Sequence, residues 1–220
     1  MRLSLRGGAT QYAHGIALAL LACALLTRFF WVDPGFPADT GLSASWKLGL
    51  LAGTGAGMNF GTDLVFTFGP YAAVYVGQFS DATRWTFLIA GFLLISAFWL
   101  ALRALTRVSA MRWRWVWIGV LVLIARPGDA LFLLYPLLLV ATVAAQESEV
   151  ATDHTPPLGA ARQSWLLTPL GLLPLIKGTF LLFVGACIPL LVALHLRRRQ
   201  YWLAMLDFLV PAASLLLLWT

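Results

Sequence analysis

Trp165–Leu196 reads WLLTPLGLLPLIKGTFLLFVGACIPLLVALHL, two apolar runs joined at Lys177-Gly178. A second stretch, Trp115–Ala145, has the same form and is broken at Arg126-Pro127-Gly128-Asp129. A continuous helix of about 31 residues would be roughly 47 Å long, against a hydrocarbon core of about 30 Å. Charge, glycine and proline in mid-run therefore predict hairpins: helices 3 and 4 flank Arg126–Asp129, and helices 5 and 6 flank Lys177. Non-helical backbone at that depth is tolerated only where it faces protein or a wet cavity.

Composition agrees with this. Apolar residues make up 60% of the 220 and charged ones 11%, with a mean hydropathy of +0.84. A soluble domain would carry about 25% charged residues, so this is a polytopic membrane protein. The net charge of +6 is spread beside the apolar runs and forms no single patch, which fits cytoplasmic loops and not nucleic-acid binding. Cys23 and Cys187 lie inside apolar runs and read as packing residues, not as a disulfide. No zinc-like Cys/His spacing and no Gly-rich phosphate or dinucleotide fingerprint is present, so neither metal nor cofactor is expected.

From the N-terminus, Arg2 and Arg6 precede the apolar run Gly15–Val32, which predicts a first helix running outward from a cytoplasmic N-terminus. A cleaved leader is the alternative, because Leu20-Leu21-Ala22-Cys23 resembles a lipoprotein cleavage box. The run, however, continues through Phe29, Phe30, Trp31 and Val32, and Arg28 can snorkel near its outer end. Asp33–Thr83 is then an extracytoplasmic loop. Within it Leu42–Met58 places Leu42, Trp46, Leu50 and Leu51 at helical spacing, which predicts a juxtamembrane amphipathic helix. Trp85–Leu105 returns inward to Arg103, Arg107, Arg112 and Arg114. Gln146–Gln163, with Pro156-Pro157 and a solvated His154, reads as a cytoplasmic loop. After Arg197-Arg198-Arg199, Tyr201–Thr220 begins a seventh span, and its stop within an apolar run leads us to expect a chain incomplete at its C-terminus. The expectation is an all-α polytopic transmembrane helical bundle, one domain over residues 1–220, with about seven spans.

This topology collects Asp33, Asp39, Asp63, Asp81, Arg126, Asp129 and Lys177 on one face. Charges near a bilayer are costly and mark function or pairing. The densest chemistry is Asn59–Pro70, NFGTDLVFTFGP, a loop shaped by Gly61 and Gly69-Pro70. Asp63 is either a general base or a residue that fixes its own loop. Lys177 either holds a phosphate or snorkels from a helix end. Arg126 is a second clamp, or it pairs with Asp129 across their turn. Phe66, Phe68, Tyr71 and Tyr75 are interface anchors or sugar-stacking platforms.

Ser45-Trp46, Phe60-Gly61-x-Asp63 and Phe66-Thr67-Phe68-Gly69-Pro70-Tyr71 resemble the first-loop pattern of a large group of uncharacterised bacterial membrane proteins. Their layout resembles that of the GT-C glycosyltransferases, which include the dolichyl-phosphate-mannose and aminoarabinose transferases. Leu175-Ile176-Lys177-Gly178-Thr179 is similar to the Lys-Gly element at a helix end in the aminoarabinose branch. The resemblance implies a multi-pass protein of the bacterial inner membrane that transfers a sugar from a polyprenyl-phosphate donor on the extracytoplasmic face. It implies a catalytic carboxylate, Asp63 or Asp39, and substrate binding by Lys177, Arg126 and Tyr71. The partners it implies are membrane lipid and the lipid-linked sugar donor. One position departs from the group's pattern, with Ser43 in place of an acidic residue three positions before the tryptophan. Two other function classes stay open: a transporter or flippase component, since broken helices line transporter sites, and a non-catalytic membrane assembly protein.

Overall fold

The computed structural model describes residues 4–30, 42–64, 67–108, 119, 128–150 and 159–219. Among them the chain is helical, with two isolated β-bridges and no strand. The helices are α1 (Ser4–Phe30), α2 (Leu42–Gly55), α3 (Ala72–Val76), α4 (Arg84–Val108), α5 (Gly128–Val150), α6 (Ala160–Ile176), α7 (Phe180–Arg197) and α8 (Tyr201–Trp219). A 3-10 turn, Asp81–Thr83, leads into α4, and the Ser80 N–H donates to Thr83 Oγ1 at 2.9 Å to cap it.

Among the described residues four segments are long and apolar enough to cross a membrane: Asp81–Leu105, Gly128–Gln146, Phe180–Arg197 and Tyr201–Trp219. That is fewer than the seven spans expected. The expected third helix, over residues 115–125, lies outside the described residues, and the apolar part of α1, His14–Phe30, ends where the described residues end. α6 forms as expected but carries Arg162 and Gln163 in its first turn. The polar connection over 146–163 is shorter than the sequence implied. α5 runs on to Val150 and α6 begins at Ala160, because Ala, Gln and Glu propagate a helix well beyond the apolar run.

α6 is the centre of the bundle. Leu166, Leu167, Leu170, Leu172, Leu173, Leu175 and Ile176 are all buried, although Pro169 and Pro174 each remove a helix donor. The contacts with α8 fix direction. Gln163 bonds Asp207, the Ser214 hydroxyl donates to the Thr168 carbonyl at 3.1 Å, and Gly171 lies against Pro211, Ser214 and Leu215. Residue numbers rise together on both helices, so α6 and α8 are parallel. α7 therefore runs antiparallel between them, and Lys177–Thr179 is the predicted hairpin turn. Gly171 is required at this crossing, since a Cβ there would meet the Ser214 hydroxyl and the Pro211 carbonyl. Close backbone approach at small residues is how helices associate in lipid, where apolar area alone drives little.

α4 and α5 pack alongside. Tyr135 on α5 donates its hydroxyl to the Leu166 carbonyl, and Thr142 donates to the Ala101 carbonyl of α4 at 3.3 Å. The outer faces of α7 and α8 are apolar, with Leu182 82% and Leu217 75% exposed. Such a surface belongs in hydrocarbon, not water.

The bundle thus has two distinct ends. Phe30, Arg84, Gly128, the Lys177 turn and Trp219 lie at one, together with α2 and α3. Val108, Val150, Ala160 and the Arg197–Tyr201 turn lie at the other.

Candidate functional site

The loop after α2 is closed by its own backbone. The Asp63 and Leu64 amides donate to the Asn59 carbonyl at 3.0 and 3.1 Å, and Gly61 adopts φ +91. Asp63 Oδ2 accepts from the Asn59 amide at 2.9 Å and from Asn59 Nδ2 at 3.3 Å, and the residue is exposed. Its recorded bonds all stay within this loop.

The second half of the sequence motif does something else. Thr67–Tyr71 lies along the α6–α7 turn as a short antiparallel pairing centred on Phe68 and Lys177. Gly69 and Tyr71 donate to the Ile176 and Leu175 carbonyls at 3.2 and 3.1 Å, and Gly178 donates to the Thr67 carbonyl at 2.7 Å. These bonds satisfy carbonyls that the end of α6 leaves without a helical partner. Gly69 is obligatory, because a Cβ would run into the Leu175 backbone.

The pairing sets Lys177 in a box. Its ammonium lies 2.8 Å from both carboxylate oxygens of Asp129, at the start of α5. It also faces the rings of Tyr75, Phe68 and Phe180 at 5.2, 5.3 and 5.7 Å from their centroids. Four elements therefore converge on one cation. The Lys177 side chain is 16% exposed and that of Asp129 47%, so the carboxylate is the part open to the outside. The rings continue as a tier. Trp46 stacks on Phe68 at 5.0 Å, Phe68 meets Tyr75 at a tilt at 4.8 Å, and Tyr75 stacks on Phe132 at 5.6 Å and Phe132 on Phe180 at 5.7 Å.

Tyr75 completes the polar set. Burial, a hydrogen bond to Asp129 and the repulsion of that carboxylate push its phenol up to about 12, while the Arg28 guanidinium pulls the other way. The phenol is therefore a neutral donor to Asp129 at any physiological pH. Tyr71 is buried at the N-cap of α3, and burial raises its phenol too.

Of the sequence-expected residues, the structure brings Lys177 together with Asp129, Phe68 and Tyr75. Asp63 is tied to Asn59 instead. Asp33, Asp39, Phe66, Arg126 and His154 lie outside the described residues. α2 forms over Leu42–Gly55 and buries Leu50, with Trp46 half-buried on Phe68; among its described side chains Ser45 and Leu48 are exposed and Lys47 is half-buried.

Sequence reasoning missed a buried cluster at the opposite end. Asp207 of α8 is fully buried. It accepts from Gln163 Nε2 at 3.1 Å and meets His195 Nδ1 of α7 at 2.5 Å. A lone acid in an apolar run must find a partner, and the histidine closing the preceding helix was the available signal. Among the described residues no three His, Cys, Asp or Glu side chains gather as a metal set, and both cysteines are free. Compared with protein-family models, curated proteins and solved structures, the chain matches none.

Proposed function

We propose that this chain belongs to a membrane glycosyltransferase of GT-C layout, taking a sugar from a polyprenyl-phosphate donor at the extracytoplasmic face of a bacterial inner membrane. One observation carries the reading: the Phe-Thr-Phe-Gly-Pro loop and the Lys-Gly turn are far apart in sequence, yet they pair through Phe68 and Lys177. Their meeting point sets a cation, an open carboxylate and a phenol at one end of the bundle. Arg162 and Arg197–Arg199 lie towards the opposite end, which the positive-inside rule makes cytoplasmic, together with the N-terminus. α2 would then lie at the outer membrane surface.

In the reaction, an acceptor hydroxyl forms a bond to the anomeric carbon as the sugar–phosphate C–O bond breaks. The phosphate leaves with the electron pair, and the hydroxyl proton passes to a carboxylate. Lys177 is the group to hold the departing phosphate. Asp129 stands beside it as a base, and Asp63 and Asp39 are the alternatives. The test is binding of undecaprenyl phosphate to the protein in nanodiscs, followed by transfer from its glycosylated form. Lys177→Ala should weaken binding about tenfold, which corresponds to one lost charge-assisted bond. Undiminished binding in that variant would overturn the reading. Asp129→Asn and Asp63→Asn then separate the two described candidate bases.

A transporter is the second reading, and the buried Asp207–His195 pair favours it, since ionisable groups within spans often mark ion pathways. In that case Asp207→Asn would abolish activity while Lys177→Ala left it intact.

A further inference from the structure

At the Lys177 end, a cavity of 440 Å³ lies between α6, α7 and α8, walled by Pro174, Leu175, Leu181, Leu215, Leu216 and Trp219. Among the described residues its one polar side-chain group is the Trp219 indole N–H, and Leu181, Leu216 and Trp219 are more than half exposed. Directly against it, a second space of 320 Å³ lies under the loop after α2, bounded by Thr54, Asn59, Phe60, Pro70 and again Trp219. The two spaces share the Trp219 wall, and each falls within the size of a small-molecule site. One is almost wholly apolar; the other carries an amide and a hydroxyl.

We propose that they form one binding site for a membrane lipid whose head donates hydrogen bonds and bears no negative charge, diacylglycerol being the simplest case. The tail half follows from the solvent. An apolar groove on the flank of a bundle in hydrocarbon takes an acyl chain, because lipid tails are as apolar as the leucines around them. Selectivity then rests on the head.

The recess offers acceptors beside two neutral donors, the Trp219 indole N–H and the second hydrogen of Asn59 Nδ2. The Thr54 hydroxyl donates its hydrogen to the Leu50 carbonyl at 2.8 Å, so its lone pairs face outward. Asn59 Nδ2 donates to Asp63, and among the described residues Asn59 Oδ1 and Asp63 Oδ1 have no partner. Among the described residues no lysine or arginine lines the space. A phosphate head would stand near the Asp63 carboxylate with no cation among the described lining residues to offset the like charge. A glycerol hydroxyl supplies what these acceptors lack. The site is distinct from the Lys177 box and does not depend on the transferase reading.

The experiment uses the full chain in phosphatidylcholine nanodiscs with a diacylglycerol carrying a diazirine on one chain. Crosslinks should map to residues 174–181 and 215–219, and unlabelled diacylglycerol should compete where phosphatidic acid does not. Leu216→Trp, at an exposed position where folding is little affected, should fill the groove and remove about nine-tenths of the label. Asn59→Ala should weaken capture about fivefold with unchanged thermal unfolding, the effect of one neutral hydrogen bond. Equal competition by phosphatidic acid would overturn the proposal. So would labelling unaffected by Leu216→Trp, or no labelling of these peptides because another segment or a second copy covers the groove.

Discussion

Lys177 and Asp129 are unequal partners, and the inequality makes a prediction. Removing Asp129 leaves an ammonium with 16% exposure and nothing anionic beside it. Removing Lys177 leaves a carboxylate that is nearly half in water. Methionine at 177 would also keep contact with Phe68, Tyr75 and Phe180 through its thioether, replacing part of the cation–π attraction. Asp129→Ala should therefore cost about 2 kcal/mol of stability in detergent and Lys177→Met about 1 kcal/mol. Chemical or thermal unfolding of both variants checks the order. Tyr75 gives a second prediction. Its phenol ionises near 10 in an unfolded chain and at about 12 in the fold. Between those values the unfolded state has already lost the proton that the folded state keeps. The contribution is thus fully present below pH 10 and lost as pH rises from 10 towards 12. A tyrosinate difference titration, wild type minus Tyr75→Phe, should show a midpoint near 12, and a midpoint near 10 would refute the bond to Asp129.

Elements differ in how far they could be read in advance. The turn at Lys177-Gly178 was legible because a charge and a glycine inside an apolar run have few other uses. The pairing of Thr67–Tyr71 with that turn was not, because backbone hydrogen bonds over so long a separation leave no local pattern. Asp129 was visible as a charge at a hairpin; Arg126, its near partner by sequence, lies outside the described residues, and the fold adds Lys177 from a distant turn. Asp63 looked chemical because it sits among glycines and aromatics, yet its recorded bonds shape a turn. Packing of α6 against α8 makes a contrast that can be measured. Gly171→Ala drives a methyl into Ser214 and Pro211, whereas Gly185 on α7 has open space around its missing Cβ. The first change should destabilise by about 1–3 kcal/mol. The second should stabilise by about 0.5–1 kcal/mol through helix propensity alone. Equal effects would mean that the crossing is looser than described.

For the molecule as a whole, sidedness is the feature to check. Asp81→Cys and Thr179→Cys should react with an impermeant thiol reagent from one side of the membrane, and Arg197→Cys from the other. Labelling of Thr179→Cys and Arg197→Cys from the same side would break the α6–α7 hairpin and the site built on it. The membrane class was legible from composition. Four of the expected crossings have span-length apolar helices among the described residues; α6 and the apolar part of α1, His14–Phe30, are 17 residues each, and the expected third helix lies outside the described residues. The Asp207–His195–Gln163 cluster was not legible: each residue looks incidental until three helices are placed side by side.

The pairing of Thr67–Tyr71 with the Lys177 turn also has a consequence in time. A ribosome delivers Phe68 more than a hundred residues before Lys177, and at about 5–20 residues per second the loop waits roughly 5–20 s for its partner. During that interval the Gly69 and Tyr71 amides must be held by water or by a passing chaperone, and Trp46, Phe68 and Tyr75 have no cation to close over. The first loop therefore matures only once Lys177 has been delivered, although it is among the first segments to be made.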